Sequence, residues 1–144
     1  AGHLNGSHCM DAAVIIHGGG KSRIEFCDIL TLDKKLLHIK RYSGSQQMSH
    51  LFAQGVVSAE LFVSDLEFRR KVNDKLPDGH KLADPGVRPN PEDYEVVFTI
   101  ISKSANPLNL PFFSKVSLRN ARRRLRGYGF HVSKKKVRAM TNAA

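Results

Sequence analysis

Reading apolar against polar positions along the chain, the first sustained pattern is Arg23–Leu32, rich in Ile, Phe and Leu, which predicts a strand. A polar break, Asp33-Lys34-Lys35, separates it from a second run, Leu36–Tyr42, and so short a connection predicts a β-hairpin. Upstream, Ala12–Ile16 is a short apolar run followed by a turn at Gly18-Gly19-Gly20. Ser43-Gly44-Ser45 supplies loop and cap chemistry for a helix whose apolar positions Met48, Leu51, Phe52, Val56 and Ala59 recur at helical spacing. Gly55 is expected to kink or interrupt that helix, because glycine costs about 1 kcal/mol against alanine there. Ser64-Asp65 restarts a more polar helix from Leu66 to about Lys75. Pro77–Pro91, with four prolines and Gly79 and Gly86, predicts a mobile surface loop. Tyr94–Ser102 carries Val96, Val97, Phe98, Ile100 and Ile101 and predicts a buried strand. Ser117 is placed to cap a helix through about Arg126, closed by Gly127 or Gly129, and Phe130–Val132 predicts a last short strand. The order β-β-β-α-β-α-β predicts an α/β (α+β) domain with a mixed central sheet flanked by helices.

A length of 144 residues suits one such domain. The first ten residues, small, polar and without periodicity, read as an expression-tag scar and are set aside, leaving 11–144 as the domain. With Cys9 set aside, Cys27 is a lone thiol, and a reducing, cytoplasmic setting is expected. No apolar run approaches the roughly 20 residues of a membrane span.

Charge changes the picture more than composition does. Net charge is +10, and all thirteen acidic residues lie between Asp11 and Glu95. The segment 115–138 holds ten Lys or Arg and no acid. Concentrated charge of one sign attracts phosphates and releases their counterions, so nucleic acid, DNA or RNA, is the expected partner. Arg119, Arg122, Arg123 and Arg126 fall on one helical stripe, with Leu118, Ala121 and Leu125 opposite and Arg124 to the side. Lys134-Lys135-Lys136 follows the last strand and is expected to reach the same ligand as a flexible arm. Tyr128 and Phe130 are candidates for stacking on bases, core packing being the simpler role for Phe130. A solvated helix face with a ragged basic tail is the plainer reading of the same residues.

The first hairpin places Asp28 in one apolar strand and His38 and Lys40 in the other, where polar groups need partners. If the loop is Asp33–Lys35, Asp28 faces Lys40 and His38 shares that side; a two-residue loop puts Lys40 on the opposite side. A carboxylate, a second ligand two residues before a lysine and a hairpin between them resemble the PD-(D/E)xK nuclease superfamily. That resemblance implies a restriction-endonuclease-like core in which Asp28 and His38 hold Mg²⁺ or Mn²⁺ and Lys40 orients the attacking water. Gln54 matches the glutamine of one branch of that superfamily. His38 stands where Asp or Glu is usual, and imidazole is a poor Mg²⁺ ligand. Either an active or a degenerate metal-dependent nuclease site follows, or an internal Asp28–Lys40 ion pair. His17, His38 and His50 match no zinc spacing, and Cys27 reads as a core residue.

Ile24–Leu32, His38-Ile39-Lys40-Arg41, Ser49–Gly55 and Leu110–Lys115 together resemble a bacterial family of unknown function known as sporadically distributed proteins, over roughly Ile24 to Val132. Patchy distribution implies a mobile or defence-related gene, and with it an alternative role as a noncatalytic interaction module.

Overall fold

A computed structural model describes residues 7–10, 14–18 and 22–139. Residues 1–6 of the leading segment, Ala12 and Ala13 of the apolar run, and Gly19 and Gly20 of the glycine turn lie outside them. The elements are β1 (Ser7–Cys9), β2 (Val14–His17), β3 (Ser22–Glu25), β4 (Ile29–Thr31), β5 (Lys35–Arg41), α1 (Ser45–Ser64), α2 (Leu66–Lys75), β6 (Glu95–Ser102), α3 (Phe112–Tyr128) and β7 (His131–Arg138). Five strands form a mixed sheet in the order β1-β4-β5-β6-β7, with β2 and β3 paired separately. The mixed sheet with helices that the sequence predicts is present.

β5, β6 and β7 run parallel and in adjacent positions. The chain passes from β5 to β6 through α1 and α2, and from β6 to β7 through α3, stepping across the sheet in one direction. Crossovers of one hand stepping in one direction lay their helices on one face of the sheet. α1 indeed packs on β5 and β6, α3 on β7, and the two helices on each other. The core lies between the sheet and this one helix layer, with Leu36, Val96, Phe98 and Ile100 from the strands meeting Met48, Phe52, Val56, Leu118 and Leu125 from the helices. The β2–β3 pair lies against α2 and α1 and adds Ile15 to the same core.

Several local expectations need correction. Arg23–Leu32 is not one strand: β3 leaves at Glu25, Phe26 and Cys27 are buried without ladder pairing, and β4 joins the main sheet at Ile29. The hairpin loop has three residues, but they are Leu32–Lys34, and Lys34 takes a left-handed φ of 64°. Leu30 therefore opposes Leu36, and the ladder ends at Ile29 against Leu37, so Asp28 never comes opposite Lys40. α1 runs unbroken through Gly55. α3 begins five residues before Ser117, after Pro111. β7 runs on to Arg138, because parallel pairing with β6 draws residues 134–136 into the sheet. The leading segment is not idle either: Ser7–Cys9 is an edge strand on β4, and Met10 is fully buried.

Other expectations match. Asp65 caps α2 by accepting the Phe68 N–H at 3.0 Å. Gly129 closes α3 at φ 107°, donating to Leu125 O and Arg126 O. The 77–91 excursion is surface chain, yet it is tied down. Arg69, buried in α2, donates to Pro85 O at 2.9 Å and to Phe62 O at 3.2 Å, and the Leu82 N–H donates to Asn73 Oδ1.

Candidate functional site

Of the hairpin residues proposed for chemistry, Asp28 is bonded to the backbone and His38 is buried, while Lys40 is exposed. Asp28 sits where the β4–β5 ladder fails: its N–H donates to Leu37 O at 2.8 Å and its carboxylate accepts the Ile39 N–H at 2.6 Å. A carboxylate thereby satisfies a strand N–H that the ladder leaves behind. His38 is only 4 % exposed, packed between the Phe98 ring and the backbone of α1 at Gly55. Its Nε2 has no hydrogen-bond partner, and burial pushes the imidazole down to about 4. Lys40 and Gln54 are exposed, and Gln54 lies on the flank of α1 away from the buried positions. No three His, Cys, Asp or Glu side chains among the described residues gather as metal ligands would. One engaged carboxylate and one buried imidazole are not the oxygen-rich donor set that Mg²⁺ requires, so Asp28 and His38 do not by themselves fit that ion. His17 is elsewhere, bonded through Nε2 to Asp65 at 2.8 Å, and His50 is exposed. Burial raises the Cys27 thiol well above its ordinary range, which leaves it an inert core group.

The cationic residues are arranged differently. α3 buries Ser114, Leu118, Ala121 and Leu125, one stripe at helical spacing. On one flank of that stripe Ser117 meets Ser49 at 2.9 Å and Arg124 pairs with Glu60, both on α1. At about 100° per residue, Arg119, Arg122, Arg126 and Lys115 fall on the opposite flank, with Arg123 beside them. That flank looks away from α1, toward the outer edge of the sheet, which is β7. The four arginines expected to share a stripe do so, and Arg124 is set apart by its ion pair.

β7 completes this edge. Phe98 is in register with Lys134 and Ile100 with Lys136, so these lysines project to the helix side of the sheet, while Lys135 projects to the other side. The lysines are therefore not a flexible arm. They are held in a strand, and alternation splits them between two faces. Lys136 is further occupied, its Nζ donating to Ser104 O and Asn106 O. α3 runs antiparallel to β7, which brings Arg126 near the start of the strand and Lys115 near its end. Among the described residues, acids approach this flank and strand at one end: Glu92 lies by Gly129, and Glu95 is paired in register with His131. Lysines on an edge strand also keep strands of other molecules from adding to the sheet, which is a structural role for the same charge.

The remaining face of the sheet carries no helix among the described residues. A shallow depression of about 610 Å³ lies on it, lined by Leu37, Val97, Lys35, Glu95, Ser133 and Lys135 among others. Of the two aromatics named for stacking, Phe130 is buried in the core and Tyr128 is exposed. The sequence reading missed Phe112 and Phe113, which stand exposed at the start of α3. Their tandem after Pro111, seven residues before Arg119, is the signal that would have found them.

The fold and this edge define a mixed α+β domain with a single helix layer and a positively charged margin. Residues 1–138 match a family of unknown function, DUF6119, and the chain belongs to that family. No curated protein and no solved structure matches it. No helix among the described residues is long and apolar enough to cross a membrane.

Proposed function

We propose that this domain is a noncatalytic nucleic-acid-binding module whose contact surface is the α3–β7 edge. The observation that carries the reading is the run of cationic side chains along that edge, which Glu92 and Glu95 approach at its Gly129–His131 end. Guanidinium groups of Arg119, Arg122, Arg123 and Arg126 stand on one helix flank, Lys134 lies on the adjoining edge strand, and no acidic residue follows Glu95 in the chain. An array of this kind neutralises backbone phosphates and gains affinity by releasing counterions, without reading base sequence. The helix is a rigid carrier, because its opposite stripe is core, so the charges are presented in a set spacing. Cleavage is not part of the proposal, since Asp28 and His38 are engaged or buried as described.

The test is binding of a labelled oligonucleotide measured across a salt series. The affinity of the wild type is expected to fall steeply with salt. Combined replacement Arg119→Ala, Arg123→Ala and Arg126→Ala is expected to lower the slope of log affinity against log salt by about one unit for each phosphate no longer neutralised. Arg124→Ala, which removes a guanidinium turned toward Glu60, is expected to leave the slope in place. A triple variant with the wild-type slope would move the binding surface away from α3.

A further inference from the structure

The chain has eight phenylalanines, and six of them (Phe26, Phe52, Phe62, Phe68, Phe98 and Phe130) are at most 2 % exposed. Phe112 and Phe113 are 72 % and 75 % exposed. Single apolar residues on a surface need no explanation, but two adjacent phenylalanine rings this far out of a core that absorbs every other phenylalanine do. The rings lie 5.6 Å apart at 71°, so they support each other edge to face and hold a ring face toward solvent.

Their position on α3 is informative. Phe112 precedes Arg119, Arg123 and Arg126 by 7, 11 and 14 residues, which puts it on the same helical stripe as those guanidinium groups. The cationic flank thus runs for about 20 Å and ends in an aromatic pair. Phe112 opens the helix with no side-chain cap and no acid in the first turn, so the positive end of the helix dipole lies at the rings. The acids nearest the edge, Glu92 and Glu95, are at the far end by Gly129 and His131.

Resting on the reading of the edge as a nucleic-acid surface, we infer that its ligand is single-stranded, with one or more bases stacked on Phe112 and Phe113 while the strand backbone follows the arginines. A phenylalanine ring offers a phosphate nothing, and it cannot use the bases of an intact duplex, which are already stacked on one another. Unpaired bases present free π-faces to such a ring regardless of sequence. An anionic membrane surface would also attract the cations. It is the weaker match, because the apolar stripe of α3 is turned into the core and the outward flank is mostly charged, leaving the two rings and a part-exposed Val116 to enter lipid.

The experiment compares four probes by fluorescence anisotropy or cosedimentation at one salt concentration: a single-stranded oligonucleotide, the same strand with abasic sites throughout, its duplex, and vesicles of phosphatidylserine and phosphatidylcholine. The proteins are the wild type, Phe112→Ala/Phe113→Ala, Phe112→Tyr/Phe113→Tyr and the arginine triple variant. The exposed alanine pair is expected to keep the wild-type melting temperature and to bind the base-bearing single strand roughly ten- to a hundredfold more weakly, with an unchanged salt slope. Tyrosine is expected to preserve binding, and the abasic strand and the duplex to bind both proteins alike. Wild-type affinity for the base-bearing strand by the alanine pair, or an equal loss on the abasic strand, would overturn stacking while leaving the cationic edge intact as a phosphate surface. Vesicle binding that depends on the phenylalanines, without an effect on oligonucleotides, would overturn it in favour of lipid. Absence of binding to every oligonucleotide by the wild type would remove the proposed function and this inference together.

Discussion

His38 shows how one residue can look like chemistry in a sequence and serve as core in the fold. Its imidazole is sealed by Phe98 and α1, and burial lowers its pKa from 6.5 to about 4. In the unfolded chain the ring takes a proton as pH falls below about 6.5, while in the folded protein it stays neutral until about 4. The unfolded state therefore binds more protons across that window, and stability falls as pH drops through it and levels off below it. Comparing chemical denaturation of the wild type and His38→Leu at pH 7 and pH 4.5 isolates this group from the carboxylates. The wild type is expected to lose on the order of 2–3 kcal/mol more than the variant over that interval. Parallel losses would mean that the ring is reached by water or shares its proton in the fold. Asp28 was legible as a polar residue needing a partner, but its partner is a backbone N–H, which no side-chain motif can reveal. The register that would have aimed it at Lys40 turned on a left-handed Lys34, a conformation for which lysine carries no signal.

At the scale of elements, α1, α2 and β6 were readable because each carries its own pattern: helical spacing from Met48 to Ala59, a capping Asp65, and the uninterrupted apolar run of β6. β7 was read only at its start, as a short strand over Phe130–Val132, because lysine has poor strand propensity and only Val137 hints at the rest. Its eight-residue length is imposed by pairing with β6, which is information from another part of the chain. The same override explains Gly55. In isolation it weakens a helix, yet in the fold it is the point where α1 approaches the sheet. A Cβ there would come within 2.5 Å of Phe98 Cε1 and 3.6 Å of His38 Cδ2. Gly55→Ala is thus expected to destabilise the protein by about 1–3 kcal/mol, because lifting the helix off a rigid aromatic ring outweighs the gain in helix propensity. Thermal and urea unfolding measure the sign directly. A stabilised variant would show that Phe98 can turn aside.

For the whole molecule, the distribution of charge was visible from the chain alone, but its geometry was not. Ten basic residues in one stretch become a flank of α3, a strand with lysines on both faces, and two residues, Arg124 and Lys136, occupied by Glu60 and by loop carbonyls. The aromatic pair at the start of α3 was read only as part of a family block; its spacing from Arg119 was a signal in the chain, but its exposure is set by which phenylalanines the core takes in.

The placement of β6 has a further consequence for experiments on this domain. It is the most apolar strand, and β7 is all that covers its outer side. Cutting the chain before His131 would strip away basic residues and in the same stroke bare a row of peptide groups along a Val- and Ile-rich ribbon, a template for aggregation. A protein shortened in that way is expected to elute from size-exclusion chromatography as large assemblies, whereas Arg119→Ala/Arg123→Ala, which leaves β7 and its lysines in place, is expected to elute as the wild type does. Charge at this margin has therefore to be removed one side chain at a time, because the strand that carries it is also the wall of the sheet.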